Sequence, residues 1–248
     1  MSNIRNAFKN GKAFIPFITC GYPDLEMTGK LIRKMADSGA DLIVLGIPFS
    51  DPTVEGAVVQ SASIRALKGG ITTDKVFTFV QELRRDVDIP LVFMTYANVV
   101  FSYGIARFAE KCAEAGVDGI LVSDVPFEEK EEFAPICRQN GVDWISMIAP
   151  ASDERIAEIA KDAEGFLYVV SDPDKLGALT AKIRVYTDIP CVAGFDAFDP
   201  AQTAAMAKNA DGVIAVSAVV EEIGKHENDA ETAVGALVKT MKQAVLQE

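Results

Sequence analysis

The sequence has few of the residues that metal and redox sites require. It contains one histidine, His226, and four cysteines, Cys20, Cys112, Cys137 and Cys191, none of which forms a Cys-x-x-Cys pair. His226 lies in a polar stretch, far along the chain from every cysteine. We therefore expect neither a zinc site nor a disulfide framework, and no metal. The cysteines are expected to be buried free thiols.

Excess basic charge and long apolar runs are also missing. The chain has 24 Lys and Arg against 36 Asp and Glu, a net charge of −12. Sequence-independent nucleic-acid binding needs a basic surface, so we expect no such partner. No apolar run reaches the roughly 18 residues of a membrane-spanning helix, and the first residues lack the apolar stretch of a signal peptide. We expect no membrane association and a cytoplasmic location.

A repeating pattern fills the chain instead. Amphipathic stretches end in Gly or Ala, and an Asp and an apolar run follow, as in Ser38–Gly46, Ala115–Ser123 and Asn140–Met147. Gly ends a helix in the left-handed conformation, and a continuous apolar run is typical of a parallel strand buried on both faces. Five further runs bring the number of predicted strands to eight: 13–19, 90–95, 163–170, 190–194 and 209–215.

Eight strands that alternate with helices predict a closed barrel or a doubly wound sheet. The helical patterns include 24–38, 72–87, 104–115, 127–139, 152–161, 199–208 and 229–246. The count of eight, and the absence of Gly-x-Gly-x-x-Gly after the first strand, favour an α/β fold of the (β/α)8 TIM-barrel type, with one domain over residues 1–248. Chemistry is then expected at the C-terminal ends of the strands.

The residues at these strand ends resemble a known family. Four segments are similar to the tryptophan synthase α chain: Pro16–Asp24, Leu45–Pro52, Met94–Asn98 and Asp124–Pro126. The similarity runs from about residue 5 to about residue 224, except between 172 and 188, where this chain is shorter. The resemblance implies cleavage of indole-3-glycerol phosphate into indole and glyceraldehyde 3-phosphate, a lyase step of tryptophan biosynthesis. It also implies no cofactor and a β subunit as partner.

The resemblance assigns roles to individual positions. It places the family's general acid/base Glu at Val44, which cannot transfer a proton, and its catalytic Asp at Glu55. Loss of proton transfer typically costs about 10²–10⁴-fold in rate, and a displacement of ~1 Å can cost on the order of 100-fold. The implied substrate-binding residues are Phe17, Val59, Tyr96, Tyr168, Gly194, Phe195 and Ser217, and the partner-facing residues are Asp51, Pro52 and Asn98.

The phosphate site that the resemblance implies is altered in this chain. Asp196 and Val216 stand where the family has glycines, and Gly177 is the glycine that remains after the sixth strand. A carboxylate repels a phosphate, and a Val side chain blocks close approach to the backbone. We therefore expect weakened anion binding.

Three functions remain open. The favoured one is a family member whose own lyase activity is lost or strongly reduced and which still binds a β-type subunit. The second is an active lyase with an altered site that uses Glu55. The third is a barrel repurposed for a different, cationic small molecule or an oxygen-ligated metal ion. It rests on the carboxylates at the predicted mouth, which are Asp51, Glu55, Asp124, Asp172, Asp174 and Asp196.

Overall fold

Parallel strands form the centre of the molecule. The computed structural model describes residues 2–194, 199–226 and 229–247. The strands in these residues are β1 (Ala13–Thr19), β2 (Ile43–Gly46), β3 (Leu91–Thr95), β4 (Gly119–Val122), β5 (Asp143–Trp144), β6 (Met147–Ile148), β7 (Leu167–Val169), β8 (Cys191–Gly194) and β9 (Gly212–Ala215).

The sheet closes through its fifth strand, which is divided into β5 and β6. The spatial order is β5-β4-β3-β2-β1-β9-β8-β7-β6, so β5 and β6 stand at the two ends of the series. Two residues join them, and both keep hydrogen bonds to the neighbouring strands. The amide of Ile145 donates to the carbonyl of Ile120 at 2.8 Å, and the amide of Tyr168 donates to the carbonyl of Ser146 at 3.0 Å. The nine segments therefore make an eight-stranded barrel, and the predicted TIM-barrel fold is confirmed.

Helices surround the barrel. Within the described part of the chain they are α1 (Leu25–Asp37), α2 (Ala57–Lys68), α3 (Thr73–Leu83), α4 (Ala97–Tyr103), α5 (Ile105–Ala115), α6 (Ala134–Gln139), α7 (Asp153–Lys161), α8 (Pro173–Ile183), α9 (Pro200–Ala207), α10 (Ser217–Lys225) and α11 (Ala230–Leu246). Short 3₁₀ helices span Ile4–Phe8 and Phe127–Glu132. No helix of the described residues is long and apolar enough to cross a bilayer.

Capping side chains fix where several helices begin. The side chain of Asp24 accepts a hydrogen bond from the amide of Met27 at the start of α1, and Thr72 accepts one from Lys75 at the start of α3. Ser152 does the same at the start of α7. Each cap satisfies one of the amides that the first helical turn leaves unpaired. These caps place the helix starts directly after the loops that form the mouth of the barrel.

The segment after β7, where this chain is shorter than the family, is helical. Residues 173–183 form α8, with Pro173 as its first residue. Pro suits this position because its missing amide would have no helical partner there. The shorter segment thus runs directly from β7 into a helix.

Strand side chains alternate between the barrel interior and the layer beneath the helices. Phe93 of β3 points outward, since its ring lies 5.7 Å from that of Phe77 in α3 and 6.5 Å from that of Phe108 in α5. Phe17 of β1 points inward and lies over Gly46. The predicted buried thiols are confirmed, since all four cysteines are buried and free.

Candidate functional site

Two aromatic rings cross the barrel interior above strand glycines. A Cβ added to Gly46 would lie 2.4 Å from Cζ of Phe17, and one added to Gly194 would lie 2.1 Å from Cζ of Tyr168. Real Cβ atoms do not approach so closely, so each ring occupies space that only glycine leaves open. Two of the predicted substrate-binding rings, Phe17 and Tyr168, therefore lie inside the barrel, with Gly194 directly beneath one of them.

Val44 lies in the same interior layer. It pairs in register with Phe17 of β1 and Val92 of β3, and only 1% of it is exposed. Paired residues of neighbouring parallel strands face the same side of the sheet, so the Val44 side chain faces the interior beside the ring of Phe17. The position where the resemblance expects a proton-transferring carboxyl is thus buried and apolar.

Glu55 lies in the loop between β2 and α2. Its Oε2 atom is buried and has no hydrogen-bond partner among the described residues. Burial raises the pKa of the Glu55 carboxyl to about 7; a backbone hydrogen bond opposes the rise, and the negative charge of Asp124 adds to it. A half-buried carboxyl with such a pKa can both donate and accept a proton near neutral pH.

Tyr96 holds the loop that carries Glu55. Its hydroxyl oxygen accepts a hydrogen bond from the amide of Val54 at 3.1 Å, and its ring stacks on that of Phe49 at a centroid distance of 5.1 Å. The side chain of Gln60 also holds this loop, because its amide nitrogen donates a hydrogen bond to the backbone carbonyl of Glu55 at 2.8 Å. The sequence predicted Tyr96 as part of the pocket wall; its contacts with the loop were not predicted.

Asp124 connects the end of β4 to the start of α4. Its Oδ1 atom accepts a hydrogen bond from the amide of Ala97 at 2.7 Å. This is a helix cap supplied from a different strand, and sequence spacing gives no signal for such a contact. Because the same carboxylate raises the pKa of Glu55, the cap also affects the site electrostatically.

Three buried hydroxyls near the strand ends have no partner among the described residues, and one of them, Thr95 Oγ1 at the end of β3, lies on the outward strand face that also carries Phe93. The other two lie towards the barrel interior. Thr19 Oγ1 at the end of β1 and Ser123 Oγ after β4 are buried and make no hydrogen bond within the described ranges. Thr19 is two residues beyond Phe17 and so faces the same interior side. Buried polar atoms normally find partners, so these two are candidates to contact a ligand. Both residues belong to the predicted strand ends, but neither was predicted as a site residue.

The predicted phosphate site is brought together only in part. Ser217 is the first residue of α10 and is buried, with the half-buried Val216 directly before it. Gly177 lies in α8, where its amide belongs to the helix and an added Cβ would lie 2.9 Å from Oδ1 of Asn209. The assignment of Gly177 to a phosphate-binding loop is therefore corrected: in this fold it is a helix-packing residue. Phe195 and Asp196 lie outside the described residues.

The predicted partner-facing residues divide into two groups. Asp51 and Asn98 are exposed, but Pro52 is buried, so its ring does not form part of the exposed surface. Two large apolar side chains of the same regions are exposed, Val54 of the loop after β2 by 52% and Phe101 of α4 by 49%. Val59, predicted as substrate-binding, is buried in α2.

The acidic residues do not form a cation site in the described part of the chain. Residues 2–194, 199–226 and 229–247 contain no cluster of three or more His, Cys, Asp or Glu arranged to hold a metal ion. Asp172 pairs with Lys175 at 2.8 Å, and the carboxylate of Asp51 accepts from the hydroxyl of Ser50 at 2.6 Å.

Comparison with known proteins identifies similar chains. The family model for the tryptophan synthase alpha chain matches residues 4–246. The tryptophan synthase alpha chain of Lacticaseibacillus casei is 42% identical over 255 residues, which cover 99% of this chain and 96% of the relative. That of Lactiplantibacillus plantarum is 43% identical over 238 residues, covering 92% and 90%.

Solved structures give the same result. Tryptophan synthase subunit alpha from Legionella pneumophila superposes with a TM-score of 0.94 at 35% identity, covering all of both chains. A chain of tryptophan synthase from Mycobacterium tuberculosis, in an aminoacrylate-bound form, superposes with a TM-score of 0.91 at 29% identity, covering 99% of this chain and 100% of that one.

Proposed function

The chain belongs to the tryptophan synthase alpha chain family, and we propose that it binds a β-type subunit while its own cleavage of indole-3-glycerol phosphate is strongly reduced. The cleavage breaks the bond between indole C3 and the glyceryl carbon. A proton must reach C3, and the glyceryl hydroxyl must lose its proton as its carbon becomes the aldehyde. Both transfers need a titratable group at the reacting atoms.

The main support for reduced activity is the presence of Val44 at the position of the family's general acid/base. The buried alkyl side chain of Val44 lies beside Phe17, where a proton-transferring group is required, and can neither donate nor accept a proton. Loss of such a group typically slows a reaction by about 10²–10⁴-fold. Val216 works in the same direction, because its Cβ limits how closely a phosphate can approach the backbone before Ser217.

Glu55 supports a residual activity. Its pKa of about 7 suits proton transfer at neutral pH, and its Oε2 atom is free of hydrogen bonds to the described residues. Tyr96 and Gln60 hold the loop that carries it. We propose that any remaining cleavage depends on this carboxyl.

Exposed side chains of the loop after β2 and of α4 support the partner-binding role. Val54 of the loop and Phe101 of α4 are apolar and about half exposed, and each lies near an exposed polar residue of the same segment, Asp51 and Asn98 respectively. Apolar side chains bordered by polar ones are typical of protein interfaces.

The test is indole release from indole-3-glycerol phosphate, measured with and without a purified β subunit of a related tryptophan synthase, alongside β-subunit binding by calorimetry. We expect saturable binding, slow release, and loss of the residual release in Glu55→Gln. Release at ordinary enzymatic rates would refute the reduced activity, and absence of binding would refute the partner role.

Val44→Glu tests the cause of the reduction. Restoring the carboxyl is expected to raise indole release about 10-fold or more, since general acid–base catalysis contributes about 10²–10⁴-fold. Recovery is expected to stay incomplete because Val216 and Asp196 still disfavour the phosphate. Val44→Gln is the control, because Gln has the shape of Glu but cannot transfer a proton in the same way. Equal rates for the two variants would show that proton transfer at this position is not limiting.

A further inference from the structure

A cavity lies at the mouth of the barrel, next to the proposed reaction centre. It has a volume of about 480 Å³ and is enclosed by the loop after β4, the divided strand β5–β6 with the loop after it, and α7. Of the described residues assigned to the lyase site, Phe17, Val44, Glu55, Tyr96 and Tyr168 do not line it. The cavity adjoins the proposed reaction centre without including these five residues, since Met147, which lines it, pairs in register with Tyr168.

The wall of this cavity is mostly apolar. Its main lining side chains are Phe127, Trp144, Ile145, Met147, Ile148 and Ile159. A volume of this size, with a wall that is more apolar than polar and includes aromatic side chains, is typical of sites for small organic molecules. One buried polar atom also lines it: Ser123 Oγ, which has no hydrogen-bond partner in residues 2–194, 199–226 or 229–247.

A guanidinium stands at the edge of the cavity. Arg155 lines it from the first turn of α7, and its Nη1 and Nη2 atoms contact the two carboxylate oxygens of Glu128, the second at 3.0 Å. Both side chains are about half exposed. Arginine binds carboxylates with this two-point geometry, and an exposed ion pair adds little net stability, so another carboxylate can replace Glu128.

Two other polar residues of the wall make their hydrogen bonds elsewhere and not to the guanidinium of Arg155. Asp124 accepts the amide of Ala97, and its carboxylate is thus engaged at the start of α4. Ser146 is buried within the divided strand, where its carbonyl accepts the amide of Tyr168.

We propose that this cavity binds a small aromatic monocarboxylate, with its ring against Trp144 and Phe127 and its carboxylate on Arg155 in place of Glu128. The proposal does not rest on the proposed lyase activity, because that activity is assigned to none of the three residues Trp144, Phe127 and Arg155 that would hold the ligand.

Trp144 allows a direct test, because it is the only tryptophan in the sequence and it lines the cavity. The full chain is titrated with phenylacetate while tryptophan fluorescence and, in parallel, calorimetric heat are recorded. We expect saturable binding, and binding of the neutral phenylacetamide weaker by about 10-fold, since charge-assisted hydrogen bonds are roughly twice as strong as neutral ones.

Two variants of the ion pair are expected to act in opposite directions. Arg155→Gln should weaken phenylacetate binding about 10-fold or more, whereas Glu128→Gln should strengthen it several-fold by freeing the guanidinium. Arg184→Gln removes a comparably exposed arginine that pairs with Asp211 and serves as the matched control.

Three outcomes would overturn the proposal. The first is neither a fluorescence change nor heat up to millimolar phenylacetate. The second is equal affinity for phenylacetate and phenylacetamide, or an Arg155→Gln variant with wild-type affinity. The third is that octanoate binds as tightly as phenylacetate, which would refute the aromatic specificity.

Discussion

A carboxyl that is half-buried, such as that of Glu55, couples the stability of the whole chain to pH. Its pKa is about 7 in the folded protein, whereas an unfolded Glu titrates near its ordinary value. The folded state therefore holds the proton more tightly than the unfolded chain. The resulting contribution to the free energy of unfolding is fully present at acidic pH and is lost as the pH rises to about 7.

Glu55→Gln removes this pH dependence. We expect the variant to match the wild type near pH 4 to 5 and to exceed it above pH 7 by on the order of 1–2 kcal/mol, a value reduced for solvent screening. Urea denaturation across this pH range measures the difference, with the exposed Glu82→Gln as the control for charge loss. A difference that does not vary with pH would contradict the raised pKa.

Individual site residues were predictable from the sequence where a strand end fixed them. Phe17 and Tyr168 lie within predicted strands and Tyr96 follows one, the resemblance assigned all three to the substrate pocket, and the fold places each in or at the barrel. The sequence could not indicate that the Tyr96 hydroxyl would hold the amide of Val54, because the two residues are 42 positions apart and share no local pattern. The burial of Glu55 depends in the same way on packing between distant segments.

At the scale of elements, Asp124 links a strand end, a helix start and the site. Asp124→Asn keeps an oxygen that can accept the amide of Ala97 but removes the negative charge. We expect the pKa of Glu55 to fall below its value of about 7 in this variant. Titration of the ¹³C-labelled carboxyl by NMR gives the pKa directly.

Asp124→Ala is the paired variant. It loses both the charge and the helix cap, so stability should also fall by about 0.5–2 kcal/mol. An unchanged Glu55 pKa in both variants would show that the two carboxyls do not interact.

The contact between β7 and β8 depends on a glycine. Gly194→Ala should destabilise the fold by about 1–3 kcal/mol, because its Cβ would overlap the ring of Tyr168. Combining it with Tyr168→Ala removes the obstacle, so the cost of Gly194→Ala should largely disappear in that background. A double-mutant cycle by urea unfolding measures the coupling, and simple additivity would argue against the close approach.

Most elements were predictable because their local signals agree with the final structure. The predicted helices 24–38 and 104–115 become α1 and α5 with small changes at their ends. The helix α8 was not predicted, because the fold of the shortened segment after the sixth predicted strand was left open, although Pro173 gives a helix-start signal. The division of the fifth strand was not predictable either, because it follows from how the sheet curves to close.

On the scale of the whole molecule, one ion pair joins the first strand region to the last helix. Lys242 of α11 contacts Asp41 at 2.7 Å and also donates to the carbonyl of Lys12 at 2.9 Å. Asp41 in turn accepts the amide of Phe14 in β1. This group of contacts is mostly shielded from solvent and spans 201 positions of sequence.

Lys242→Met should therefore be costly. Removing one partner leaves Asp41 with a poorly compensated charge, and we expect a loss of about 2–4 kcal/mol in the free energy of unfolding. Lys225→Met, which breaks an exposed pair with Glu221, should cost no more than about 1 kcal/mol. Thermal melting of the two variants provides the comparison, and equal shifts would contradict the special role of Lys242.

The barrel itself was predictable from the repeated helix–strand pattern, since eight buried parallel strands have few alternative arrangements. The count of eight also predicted that the barrel closes, but the hydrogen bonds by which Ile145 and Ser146 join the two halves of the fifth strand to their neighbours were not predictable, because they connect residues with no local sequence signal.

The beginning and the end of the described chain lie close together. Lys242 donates a hydrogen bond to the carbonyl of Lys12, and a Cβ added to Gly11 would lie 3.9 Å from the side chain of Leu246. Because the barrel is a closed ring of strand–helix units, any unit can in principle be the first in the chain. A short linker could join these ends, and new termini could be opened in an exposed loop on the opposite side, as circular permutants of other proteins tolerate. The order in which the units are synthesised is thus separable from the structure that they form.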